Sequence, residues 1–107
     1  MGGLYGDGII ACPGAFTAEW ADRMAADIWR VWDRVKDKPG GALPRGKQRF
    51  YVEVAPEDIS GFVDIVSHPW FVAVCEAVLT RDYRIVEVGF DIPFPGAEDQ
   101  PWHRDFR

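Results

Sequence analysis

The sequence predicts an α+β region in which helices pack on one face of a small sheet. Three observations predict it. Apolar residues recur at intervals of three and four from about residue 18 to about residue 36, two period-two runs lie near residues 49–54 and 86–92, and shorter helical patterns separate those runs. With 107 residues and 48% hydrophobic content, the chain suffices for one compact domain or for the N-terminal part of a larger one.

The apolar run Gly8 to Cys12, closed by the turn dipeptide Pro13-Gly14, predicts a short strand near the N-terminus. A long helix follows. Thr17 is its N-cap, Glu19 sits in the first turn where the helix dipole favours negative charge, and Trp20, Met24, Ile28, Val31, Trp32 and Val35 form one apolar stripe. Two tryptophans on that stripe are assigned to packing rather than to a ligand box, because aromatic side chains at helical spacing bury large apolar areas. The opposite face, with Glu19, Arg23, Asp27, Arg30, Asp33 and Arg34, reads as solvated, and Glu19 and Arg23 have the spacing at which opposite charges meet.

Lys38 to Gly46 holds two prolines and three glycines and predicts a loop without regular structure. Phe50, Val52 and Val54 alternate with Tyr51 and Glu53, the pattern of a half-buried strand. Pro56-Glu57-Asp58 opens a short helix through about Val66, and His68-Pro69 starts another carrying Phe71, Val74, Cys75 and Val78. After Asp82, Val86, Val88, Phe90 and Ile92 alternate with Glu87, Gly89 and Asp91, which predicts a final strand.

A formal net charge of -5, from 12 basic and 17 acidic residues spread through the chain, gives no basic stripe and excludes nucleic acid as a partner. No run reaches the roughly 18 to 20 apolar residues of a membrane span, and the N-terminus lacks the regions of a signal peptide. A cytoplasmic protein without a membrane partner is expected. Gly2 does not complete a myristoylation motif, since Gly6 stands where Ser or Thr is needed. Cys12 and Cys75 lie in apolar contexts and are expected to be buried free thiols, and no cysteine pair supplies a structural zinc site.

The chemistry concentrates in His103-Arg104-Asp105. In an extended chain residues i and i+2 point to the same side, so the imidazole and the carboxylate can converge on one ion. Such a pair is two thirds of a 2-His-1-carboxylate triad, which leaves three positions on iron open. Taken alone, His-x-Asp is weak evidence for a metal, and a hydrogen-bonded structural pair is its default reading. The segment from Phe90 through Pro93-Phe94-Pro95-Gly96 to Gln100-Pro101-Trp102-His103-Arg104-Asp105-Phe106 resembles the signature stretch of the phytanoyl-CoA hydroxylase-like dioxygenases. Asp7-Gly8-Ile9-Ile10, the following turn and the long amphipathic helix are also similar to the start of that family.

The resemblance implies an iron(II)- and 2-oxoglutarate-dependent oxygenase with a double-stranded β-helix (jelly-roll) core, of which residues 1–107 would be the helical layer and first strands. It implies that His103 and Asp105 bind iron and that Gln100 and Trp102 shape the cofactor site. The family couples oxidative decarboxylation of 2-oxoglutarate to hydroxylation of an unactivated C–H bond, here of a small organic substrate whose identity the sequence does not disclose. In that family the second iron histidine and the arginine for the distal carboxylate of 2-oxoglutarate both lie downstream of His-x-Asp. Arg104 and Arg107 are too close to the motif to match that arginine, and His68, beside Pro69, reads as structural or solvent-facing. The expectation is therefore an N-terminal part, inactive by itself and prone to self-association through uncovered apolar surface. The alternatives are a non-catalytic binding or assembly module of the same fold, or another metal-dependent jelly-roll enzyme. A histidine about fifty residues further on, followed by an arginine, would favour the dioxygenase. Ser60 and Ser67 near His68 lack a nucleophile elbow, the N-terminal glycines do not follow a strand, and Glu57-Asp58 and Glu98-Asp99 read as a helix first turn and a solvated loop.

Overall fold

The computed structural model describes Gly6 and residues 8–105. Its elements run α1 (Ala18–Val35), β1 (Leu43–Pro44), β2 (Arg49–Glu53), a 3-10 turn (Pro56–Asp58), α2 (Ser60–Ser67), α3 (Pro69–Leu79) and β3 (Gly89–Pro93). The expected α+β class is what forms: among the described residues, three helices longer than one turn and a three-stranded antiparallel sheet in the order β1-β2-β3.

Helix α1 begins where the sequence placed it, because the Thr17 Oγ1 accepts from the backbone N–H of Trp20 at 3.0 Å. Its apolar stripe lands on the sheet. Register pairs Phe50 with Ile92 and Val52 with Phe90, and these four share one face by the strand's period of two. Val31 from the helix, Val52, Val54, Ile59, Phe90 and Ile92 form the buried core, with Met24, Ile28, Trp32 and Val35 packed against it. Trp32 also meets the Phe50 and Phe94 rings, at centroid distances of 5.5 and 5.3 Å, which closes the core at the end where β3 finishes.

The N-terminal end of α1 is tied to α2 by the Trp20 indole N–H donating to Asp64 Oδ2 at 2.8 Å. The polar face of α1 is exposed as expected, at every position but the intermediate Asp27. Arg30 donates to the Asp58 carbonyl at 2.7 Å and Arg34 pairs with the Asp58 carboxylate at 3.4 Å, so the 3-10 turn is fastened to that face. The pairs within α1 are Arg30 with Asp27, at the three-residue spacing, rather than Glu19 with Arg23. His68 proves structural. Its Nδ1 accepts from the Trp70 N–H at 3.1 Å and so caps α3, whose first residue is Pro69.

Four local expectations need correction. Residues 8–12 form no strand: Ile9 is exposed and no neighbouring strand offers its edge there. Leu43–Pro44, inside the expected loop, pairs with Phe50 and Tyr51 as an edge strand, a place where a proline's missing N–H is tolerated. The last strand begins at Gly89, not near Val86. Its partner β2 ends at Glu53, and Pro56 then turns the chain into the 3-10 segment, so residues 84–87 have nothing to pair with. Cys75 is half-buried but Cys12 is exposed, and both are free thiols.

Among the described residues, no single helix is long and apolar enough to cross a membrane.

Candidate functional site

The alternation that sends Phe50, Val52, Phe90 and Ile92 toward α1 sends Tyr51, Glu53, Gly89 and Asp91 to the other face of the sheet. Among the described residues, no helix covers that face. The chain after β3 turns at Pro95-Gly96, with the Ala97 N–H donating to the Phe94 carbonyl at 2.9 Å, and then returns over it. The result is a broad, open cleft of about 740 Å³, with Tyr51 and Asp91 on its floor and Gln100, His103 and Asp105 along one wall.

His103 and Asp105 are thus brought together, though by an irregular segment rather than a strand. His103 Nδ1 lies 2.8 Å from the Pro101 carbonyl oxygen. A carbonyl only accepts, so Nδ1 carries the hydrogen and Nε2 faces away from the main chain. Nε2 lies 3.3 Å from Asp105 Oδ1. In the neutral imidazole this sets a lone pair against a carboxylate, and either a proton on Nε2 or a cation shared by both atoms satisfies the contact. Two neighbouring ligands, each about 2.1 Å from a transition metal, sit about 3 Å apart at right angles, so the observed separation suits one edge of a coordination sphere. The carbonyl on Nδ1 is the kind of outer partner that orients a metal-binding histidine.

The donor set is incomplete. Among the described residues, no group of three His, Cys, Asp or Glu side chains is arranged to hold a metal. Both side chains are accessible, His103 at 46% and Asp105 at 79%, and exposed ligands of this kind bind through few donors. Gln100 lines the cleft, as the expected site neighbour would. Trp102 is not among the lining residues, and its side chain is fully exposed. His68 caps α3 and lines a different, apolar hollow with Cys12, Phe16 and Phe71.

Sequence reasoning did not place the remaining cleft residues, Arg45, Tyr51, Val86, Glu87 and Asp91, at the site. The Arg45 guanidinium lies over the Tyr51 ring, 5.4 Å from its centroid. Arg49, whose side chain is 16% exposed, reaches Asp91 at 3.6 Å. Burial pushes the Tyr51 phenol above its ordinary value of 10.0, the Glu87 and Glu53 charges and a hydrogen bond to Glu87 add to that, and Arg45 opposes it. The signal for Tyr51 and Asp91 was present in the two alternating runs, but only the strand register shows that they are partners.

Comparison with protein-family models, with curated proteins and with solved structures gives no match.

Proposed function

We propose that this chain provides the helical layer, first core strands and first two iron ligands of an iron(II)- and 2-oxoglutarate-dependent dioxygenase resembling the phytanoyl-CoA hydroxylases. The complete fold would be a double-stranded β-helix, the substrate a small organic molecule and the setting the cytoplasm. One observation carries the reading. His103 Nδ1 is committed to a backbone carbonyl while Nε2 and the Asp105 carboxylate converge at 3.3 Å, in a cleft on the sheet face that no helix among the described residues covers. In a jelly roll the reacting centre lies between two sheets, so a free sheet face bearing the ligand pair is the arrangement the reading needs.

Iron, when bound, would supply oxygen activation together with 2-oxoglutarate. This chain's residues would hold the metal edge through His103 Nε2 and Asp105, keep the imidazole tautomer through Pro101, and shape the wall with Gln100. Trp102, fully exposed, has no role here. A third ligand and an arginine for 2-oxoglutarate must come from a further segment or a second subunit, so residues 1–107 alone are expected to bind metal weakly and to turn nothing over.

Cobalt(II), a spectroscopic substitute for iron(II), tests the reading directly. Its visible absorption should respond to the chain, and His103→Ala and Asp105→Ala should each weaken binding by roughly tenfold or more. A wild-type affinity matched by both variants would remove the metal site. The incomplete donor set favours a second reading, a non-catalytic module of the same fold, which predicts that outcome. Succinate release by any longer form containing these residues, abolished by His103→Ala, would decide for the enzyme.

A further inference from the structure

We propose that the outer edge of β3 accepts an extended segment of a partner protein in which basic and apolar residues alternate. This goes beyond the reading above and needs no metal in the cleft. The hydrogen bonds of the sheet show which groups are free. The Val54 N–H donates to the Val88 carbonyl at 3.1 Å and the Phe94 N–H to the Gln48 carbonyl at 2.8 Å, so Val88, Phe90, Ile92 and Phe94 turn their main-chain groups toward β2. Gly89 and Asp91 turn theirs outward. Among the described residues, no further strand pairs with this edge and no loop carbonyl takes either N–H. The sheet's two edges differ. β1 has two residues and carries Pro44, which blunts it, whereas β3 has five and no proline before Pro93.

Charge selects the occupant. Glu87, Asp91 and Asp105 line the cleft beside this edge, and none of the ion pairs among the described residues includes Glu87 or its neighbour across the sheet, Glu53. A strand laid along β3 sends every second side chain to that side, where lysine or arginine complements the carboxylates. Its other side chains fall on the side of Val88, Phe90 and Ile92. There the end of the sheet opens into a hollow of about 240 Å³ lined by Val54, Pro56, Ile85 and Val88, with Glu53 and Glu87 beside them, which suits an apolar side chain flanked by basic ones. A second copy of this chain fits poorly. Two-fold pairing about Gly89 would set Glu87 opposite Asp91, and the registers on either side would bring Glu87 or Asp91 diagonally against its own copy, which like charges disfavour.

A capped peptide alternating lysine and valine is the probe, titrated without metal into ¹⁵N-labelled residues 1–107 while amide shifts and hydrogen exchange are followed by NMR. Saturable shifts should centre on Gly89 and Asp91, and exchange of those two amides should slow roughly tenfold or more at saturation. Two control peptides separate the causes. Glutamate in place of lysine should remove the response, and N-methylation at each residue, which keeps the charge but leaves no N–H to donate, should weaken binding roughly tenfold or more. Glu87→Lys should weaken the lysine peptide roughly threefold or more and improve the glutamate peptide, with unchanged shifts elsewhere verifying the fold. Equal binding by either control peptide, or shifts confined to other residues, would overturn the proposal. So would protection of Gly89 and Asp91 that grows with protein concentration in the absence of peptide, since a second copy would then hold the edge.

Discussion

Gly89 joins the sheet to the cleft, and replacing it by alanine is the sharpest test of how the two are built. It falls within a period-two run, on the face that carries Glu87 and Asp91, where a side chain would ordinarily stand. Tyr51 is opposite Asp91, so its ring reaches diagonally across to Gly89. A Cβ at position 89 would strike the Tyr51 hydroxyl, and it would lie 2.6 Å from the Val52 carbonyl oxygen and 2.7 Å from the Tyr51 ring carbon bearing the hydroxyl. The ring can swing away, but the carbonyl belongs to a central strand and cannot. Two effects oppose each other. Alanine reduces the freedom of the unfolded chain, which favours folding by about 0.4–1 kcal/mol, whereas forcing an extra methyl into a packed site typically costs about 1–3 kcal/mol. Overpacking wins, so Gly89→Ala should lower stability by about 1–2 kcal/mol in urea denaturation. Tyr51→Ala on the same background should recover only the part due to the ring. A Gly89→Ala protein as stable as the parent would show that the glycine is not held by this close approach, and the placement of Tyr51 would have to be revised.

Other consequences are open to measurement. Ile59 is wholly buried between the 3-10 turn and α2, so Ile59→Ala should cost about 2–5 kcal/mol in the same assay, and a loss under about 1 kcal/mol would contradict its central position. Thr17→Ala removes the cap on α1 and should cost about 1 kcal/mol, with Thr17→Ser restoring most of it. The Tyr51 phenol titrates above 10.0 in the folded chain, so its contribution to stability is intact below pH 10 and is lost as pH rises through the folded value; ultraviolet titration should show one late phenol that Tyr51→Phe abolishes and Glu87→Gln brings down. Thiol titration of unreduced, denatured protein should count two free groups, and in the native state Cys12 should react well before the half-buried Cys75. Exposed apolar side chains at Val78, Leu79, Ile85 and Val86 should drive association of the chain, read as a sedimentation coefficient that rises with concentration.

The legible parts of the sequence were those whose signals are local. Thr17 and the stripe from Trp20 to Val35 specify α1 almost to the residue, because capping and helical periodicity act within a few positions. Phe50, Val52, Phe90 and Ile92 were assignable to a buried face for the same reason. Pairing is different, since a strand exists only where a neighbour offers hydrogen bonds. Gly8 to Cys12 and the residues before Gly89 carry strand-like patterns without such a neighbour, while Leu43–Pro44 forms a strand despite its composition because β2 runs beside it. At the candidate site, His103 and Asp105 were legible through their spacing, and Gln100 only through the family resemblance of the segment around it. Arg45 and Tyr51 were not, being more than fifty residues away in sequence and joined to the motif only through the register of β2 with β3.

That register explains why the cleft has the chemistry it has. One face of a three-stranded sheet is consumed by the core, so every second residue of β2 and β3 is released to the other face, where burial makes no demand for apolar side chains. Tyr51, Glu53 and Asp91 occupy those positions, and Gly89 gives up its side chain so that Tyr51 can lie flat and carry Arg45. The loop after the Pro95-Gly96 turn need then supply only the residues that the strands do not. It contributes a histidine whose tautomer is set by its own backbone two residues earlier and a carboxylate two residues later. Neither depends on the helices for its orientation, so substitutions in the α1 core should loosen the sheet without altering the His103–Asp105 contact, whereas Pro101, through its carbonyl, is coupled to the site directly.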